Sequence, residues 1–318
     1  MFKFLLIITS LNLLSLDRVW FDYDLGFGKF AHDVDDAYAL THLLLNNKKY
    51  DIAGLSLVHG NTSDLDFQKK QTEKILDKLN IKTKVYKGAA SKEEITDITP
   101  AVLALKSALE KGKLRIFASG RLTNIATLVH FFPHLRANIT ELVFLGGREL
   151  EVVKPFQGRL TFPDTNVDGD LAAIITILKS KINLTLIPVE SMHGLLWNSS
   201  TMNEAKNIAP YFKWLIKKSR LWKFLWRLWP RVDGFIPWDL FVISYITHRE
   251  DFSCAKNLFV NLKYLKNTSN HPVRKDPKKK LFLTVSRKTH SKFKANYCYK
   301  IKDDHIQKIL ENWKSFTQ

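Results

Sequence analysis

The sequence predicts an α/β protein built on one open, mostly parallel sheet with helices on both faces. Three observations predict it. Short apolar runs bounded by turn residues alternate with segments of helical period from Val19 to Glu190, the pattern of strands joined by crossover helices. A chain of 318 residues that is 45% hydrophobic can bury one large core. Acidic residues gather at the first strand-to-helix turn, and sheets of this kind bind ligands at the carboxyl ends of their strands.

The elements follow in order. Residues 19–21 read as a buried strand and 36–46 as the helix after it. Residues 51–61, DIAGLSLVHGN, read as a strand ending in a Gly-Asn turn. A helix spans 63–80, with Ser63 as its N-cap. A short strand covers 84–88. Thr99 caps the next helix, which opens on Pro100, where a missing N–H costs nothing. Residues 113–120 form a strand, 122–133 a helix, 141–147 a strand, 170–180 a helix and 183–190 a strand. Residues 206–231 read as one basic amphipathic helix. Trp214, Leu215, Trp222, Leu225, Trp226 and Trp229 share one face, with Lys218 intruding. Lys213, Arg220, Lys223, Arg227 and Arg231 share the other. Such a helix packs on the core, lies on a membrane surface or covers a site. Three strand-like segments (258–265, 280–287 and 296–301) and a final helix from about Asp303 complete the chain.

Composition sets further bounds. The net charge is +18, and the excess lies in the second half. Residues 1–150 hold 20 Lys or Arg against 17 Asp or Glu; residues 151–318 hold 29 against 14. That asymmetry favours an acidic partner surface without naming one. Cys254 and Cys298 exclude a disulfide framework and metal-ligand spacing, and leave a single bridge open. The opening MFKFLLIITSLNLLSLDR is too short an apolar run to span a bilayer and suits a signal-peptide core. Residues 1–16 are expected to be a signal peptide and 17–318 one domain, which favours export over a cytoplasmic location.

The acidic turn carries the chemistry. VWFDYDLGFGKFAHDVDDAYAL places Asp22, Asp24, Asp33, Asp35 and Asp36 between a strand and a helix. A helix N-terminus stabilises one or two acids. It does not stabilise this many, because like charges raise one another's pKa. A divalent cation resolves the conflict, and an oxygen-only ligand set favours Ca²⁺ or Mg²⁺.

Two resemblances arise here. Asp22-Tyr23-Asp24 resembles the DxD strand of haloacid-dehalogenase-type phosphatases, a phosphohydrolase alternative. Gly26 stands where that pattern expects Thr or Val, and the Asp-Asp-Ala helix start is foreign to it. The fuller resemblance is to the inosine–uridine-preferring nucleoside hydrolases. Asp22-Tyr23-Asp24-Leu25-Gly26 and Asp35-Asp36-Ala37-Tyr38-Ala39-Leu40 resemble its D-x-D-x-G-x-D-D-A-x-A-L. GLSLVHGN, ASGRLTNIATLV, LVFLGG, DTNVDGDLAA, LIPVESMH and PWDLFVISYI resemble later family segments in the same order, over roughly 18–315.

The resemblance implies a Rossmann-like fold, one Ca²⁺ and hydrolysis of the N-glycosidic bond of ribonucleosides. It implies Asp24, Asp36, Asp239 and the main-chain oxygen of Ser119 as calcium ligands, with Asp24 also the base on the bound water. It implies Asp35 and Asn61 on ribose hydroxyls, and Asn166 and Asp164 near the 3′ and 5′ side of the sugar. Trp238 before Asp239 is similar to the purine-preferring branch, where the indole stacks on the base. His193 matches a strand-end His that contacts the base or is structural.

Several departures stand out. Residues 27–34 lengthen the acidic turn, so His32 or Asp33 enters the pocket or the loop runs over the surface. Arg121 replaces a proline. Arg159 replaces an Asn and is a candidate contact for an anionic 5′ substituent. A homologue that keeps ribose and metal binding without turnover is the non-catalytic alternative. The expected partner is a small-molecule ribonucleoside. Membrane-surface contact through 206–231 and a homo-oligomer remain open, and no specific nucleic acid is expected.

Overall fold

The computed structural model describes residues 16–149, 155–158, 160–268 and 277–316. The expected signal segment, apart from Leu16, and Arg159 lie outside the described residues.

Strand β1 (Asp17–Tyr23) is buried from Val19 onward, as a strand covered on both faces requires. After it come α1 (Asp35–Leu45), β2 (Tyr50–Leu57), α2 (Leu65–Leu79), β3 (Val85–Lys87), α3 (Pro100–Glu110) and β4 (Leu114–Ala118). Then follow α4 (Thr123–Phe131), β5 (Ile139–Leu145), β6 (Arg148–Glu149), α5 (Thr165–Gly169), α6 (Leu171–Ser180) and β7 (Leu184–Ile187). A two-stranded ribbon, β8 (Trp197–Asn198) with β9 (Gly234–Phe235), brackets α7 (Ser199–Lys206) and α8 (Pro210–Leu228). The chain ends with α9 (Trp238–Thr247), β10 (Phe252–Lys266), β11 (Lys279–Ser286), β12 (Phe293–Ile301) and α10 (His305–Lys314).

The main sheet has the order β3-β2-β1-β4-β5-β7-β12-β10-β11-β6. Pairing is parallel from β3 to β12, and β10 pairs antiparallel with β12 and β11. Strand β1 has β2 on one side and β4 on the other, so the chain reverses direction across the sheet there. That reversal opens a crevice at the carboxyl ends of β1 and β4. One core, with α1, α2, α8, α9 and α10, covers one face. A second, with α3, α4 and α6, covers the other. The expected open, mostly parallel sheet with helices on both faces is therefore present.

Three local expectations change. Residues 206–231 are not one helix. α7 ends at Lys206, Ala209 is extended, and α8 restarts on Pro210 at its first position. Proline cannot give the N–H that would continue the earlier helix. Asp64, not Ser63, caps α2, accepting from the Phe67 N–H at 2.9 Å. Cys254 and Cys298 face each other across β10 and β12 and form the one bridge the sequence left open.

The C-terminal helix is tied down by one buried carboxylate. Asp251 accepts from Lys308 Nζ at 2.5 Å and Lys302 Nζ at 3.1 Å, and meets His305 Nδ1 at 3.0 Å. These donors hold its carboxyl well below the usual range. Beyond them, Trp313 Nε1 donates to His42 Nδ1 at 3.0 Å, joining α10 to α1. Asp251→Ala strips the carboxylate from three donors and is expected to cost roughly 3 kcal/mol, near the lower end for breaking a buried pair, because both lysines can turn to water. Urea unfolding of the variant against the parent checks this.

Candidate active site

The site forms where β1, α1, β4 and α9 end or begin together. Asp22, wholly buried, accepts from Asn124 Nδ2 at 2.8 Å and from Ser56 Oγ, which itself accepts from Trp20 Nε1 at 2.7 Å. Burial pushes its carboxyl up to about 7. Asn124 also accepts from the Ala89 N–H at 2.8 Å and donates to the Leu57 oxygen at 3.1 Å. Asp22 thus anchors the loops after β2, β3 and β4 beneath the site.

Asp24 lies above it, at the cavity. It accepts from the main-chain N–H of Asn61 at 2.8 Å and from Asn61 Nδ2 at 3.3 Å. The chain approaches closely here: a Cβ on Gly60 would stand 1.6 Å from Asp24 Oδ2. Only glycine leaves that carboxylate in place.

Asp35 and Asp36 occupy the first turn of α1, whose N-cap Val34 offers no side-chain acceptor. Asp36, completely buried, accepts from Ser119 Oγ at 2.9 Å. Asp35 Oδ2 accepts from the Asp239 N–H at 3.4 Å, while its Oδ1 is buried with no hydrogen-bond partner among the described residues. Asp239 lies in the first turn of α9. Two helix N-termini therefore point at one acidic cluster, the polarity that favours negative charge.

The inserted loop does not run over the surface alone. Phe27 is buried edge-on against Trp214, with ring centroids 5.3 Å apart. Asp33 accepts from Asn61 Nδ2 at 2.7 Å and enters the cluster. Burial, and then neighbouring carboxylates, raise Asp33, Asp36 and Asp239 well above the usual range; burial takes Asp24 up to about 7. Asp24 sits beside Asp36, and Asp35 beside Asp33 and Asp239, so the cluster favours protons or a cation between its carboxylates. Among the described residues no three His, Cys, Asp or Glu side chains are already disposed as a cation cage. The donor chemistry nevertheless fits a hard cation: crowded oxygen ligands, an unpartnered Oδ1, and no fixed positive charge except Arg121 among the residues lining the cavity.

The cavity holds about 670 Å³. Asp24, Asp33, Asp35, Asn61, Ser119, Asp164, Asn166, Trp238 and Asp239 line it, and Asp36 lies beneath them. Asn166 Nδ2 donates to the Ser119 oxygen at 2.5 Å. Asp164 caps α5 and also accepts from the Gly147 N–H at 2.8 Å, with burial raising its carboxyl to about 7. Much of the remaining lining is aromatic: Trp238 lies 5.2 Å from Phe162 and 5.3 Å from Trp226 between centroids, and Trp222 of α8 and Trp229 just past its end add to it. His193 is not brought to this lining. It packs behind it against Phe156 and Phe162 and lines a separate cavity with Glu149 and Glu190.

Two charged residues in this cavity, Asp33 and Arg121, had no assigned role in the sequence. Asp33 belonged to an insertion with no template. Arg121 stood out only as a replaced proline. Its Nη1 donates to His59 Nδ1 at 2.6 Å, so His59 is neutral with its proton on Nε2, 2.9 Å from Thr123 Oγ1. Burial, then the Arg121 charge, takes His59 down to about 4. Thr123 in turn donates to Asp170 at 2.5 Å. Gly169 makes room for the guanidinium, since a Cβ there would stand 2.0 Å from Arg121 Nε.

Comparison with known proteins gives the same frame. A probable ribonucleoside hydrolase of Dictyostelium discoideum is 24% identical over 60% of the chain, and an uncharacterized protein of Schizosaccharomyces pombe 27% over 58%. The chain spans 63% and 61% of those two relatives' lengths. Among solved structures, an inosine-uridine preferring nucleoside hydrolase from Bacillus anthracis aligns with 94% of this chain and 100% of its own, at a TM-score of 0.67 and 16% identity. A purine-preferring ribonucleoside hydrolase from Gardnerella vaginalis covers 95% and 99%, at 0.70 and 15%. These likenesses show the fold. The family model described as inosine-uridine preferring nucleoside hydrolase matches residues 19–305, and the chain belongs to that family.

Proposed function

We propose that this protein hydrolyses the N-glycosidic bond of ribonucleosides, with a preference for purines, and that it works with one calcium ion. The observation that carries this reading is a single cavity lined both by a carboxylate cluster and by a cluster of packed aromatic rings. Glycosidic cleavage passes through an oxocarbenium-like state. Carboxylates favour the positive charge that develops on the sugar, and indoles suit the flat base that leaves.

Asp24, Asp36, Asp239 and the main-chain oxygen of Ser119 would hold the ion. When bound, it would orient the ribose diol and make a water acidic enough for a nearby carboxylate to deprotonate. Asp24, already held by both nitrogens of Asn61, would serve as the general base for the attacking water. Asp35 and Asn61 position the ribose hydroxyls, and Asp164 and Asn166 hold the far side of the sugar. Trp238 stacks on the base, and Trp222, Trp226 and Trp229 exclude water around it.

Steady-state hydrolysis of inosine, guanosine, adenosine, uridine and cytidine tests the reading, and inactivity on all five with calcium present would refute it. Asp24→Asn is expected to lower kcat by at least about 10³-fold. Trp238→Ala is expected to lower kcat/KM for purine nucleosides by about tenfold or more, within the range for losing one stacked base, and to affect uridine less.

A third expectation needs no turnover. Asp24, raised to about 7, is largely protonated at pH 5.5, and Asp36 and Asp239 are raised as well, so a cation must displace protons to bind. The increase in Tm on adding calcium is therefore expected to be larger at pH 8 than at pH 5.5. Equal shifts at the two pH values would remove this cluster as the ion's site.

A further inference from the structure

α8 has a second apolar stripe that nothing among the described residues covers. Trp226 and Leu215 are buried, and Trp222 and Trp229 line the cavity. Leu221, Phe224 and Leu228 are 37%, 54% and 60% exposed. Their spacing of three and four residues aligns them along one side of the helix. Lys217, Lys218, Arg220, Arg227 and Arg231, all exposed, flank them. No Asp or Glu occurs between Glu204 and Asp233, a stretch that holds eight Lys or Arg. Phe30, 81% exposed, stands on the inserted loop that gives Ala31 and His32 to the cavity.

We infer that α8 docks on an anionic lipid surface, lying in the plane of the headgroups with Leu221, Phe224 and Leu228 towards the acyl chains. Charge complementarity selects the partner. A helix with exposed apolar residues between cationic ones fits an interface that is negative outside and apolar within. Single-stranded nucleic acid would meet the same positive charge but uses stacking platforms, and two of the three stripe residues are leucines. Among the described residues no helix is long and apolar enough to cross a membrane, so the contact is made along the surface. Leu228 belongs to both the stripe and the cavity lining, which sets the docking face beside the cavity mouth. The inference does not depend on which molecule the cavity takes.

Co-sedimentation of the full chain with phosphatidylcholine vesicles, with and without phosphatidylserine, tests it. Binding is expected only with phosphatidylserine and is expected to weaken as salt rises. Leu221→Asp with Phe224→Asp, two exposed positions outside the cavity, is expected to weaken binding by about tenfold or more at unchanged Tm. Lys217→Glu with Arg220→Glu is expected to weaken it similarly and serves in place of the first pair if that pair lowers Tm. Absence of binding to phosphatidylserine vesicles overturns the inference. So does undiminished binding by both variants, which assigns the contact to another segment such as the apolar opening of the chain. Retention of single-stranded RNA with no vesicle binding also overturns it.

Discussion

The structure is organised around an electrostatic conflict. Asp24, Asp33, Asp35, Asp36 and Asp239 converge in one partly buried crevice, where burial, joined for most of them by neighbouring carboxylates, raises the carboxyls. Buried carboxylates without partners are costly, so a fold that keeps them must offset that cost locally. Two devices are visible. The N-termini of α1 and α9 point at the cluster, and amide or hydroxyl donors from Asn61 and Ser119 reach three of its members, Asp24, Asp33 and Asp36. The remaining imbalance is what a cation would remove.

Precision at the site depends on the groups beneath it. Asp22 touches no part of the cavity, yet it holds Asn124, and Asn124 holds the loops after β2 and β3. The same layer contains Gly60, which cannot carry a side chain without displacing Asp24. The chain from Arg121 through His59 and Thr123 to Asp170 braces the other side. It also places one fixed positive charge near Asp24, partly countering the acids.

Helix α8 links the site to its surroundings. One side builds the aromatic wall and the other presents leucine, phenylalanine and basic residues to the exterior. The sequence shows a strongly amphipathic segment but not which apolar residues reach the core. Pro210 resets the helix start, and eleven of the helix's residues are large and apolar, more than one face needs. The surplus becomes the outer stripe.

The sequence by itself determined the sheet, because alternating buried strands and amphipathic helices admit few arrangements. It also determined the acidic turn, because five aspartates between β1 and α1 are local in the chain. Asp24, Asp36, Ser119 and Asp239 were legible through short motifs whose order survives at low identity. Only the tertiary structure decided what depends on long-range packing. It brought Asp33 in from an insertion, turned Arg121 onto His59, and left His193 behind Phe162. Those positions follow from how loops far apart in sequence fill one crevice. No local pattern of charge or hydrophobicity encodes that, because each loop's conformation is set by neighbours that the chain reaches only after folding.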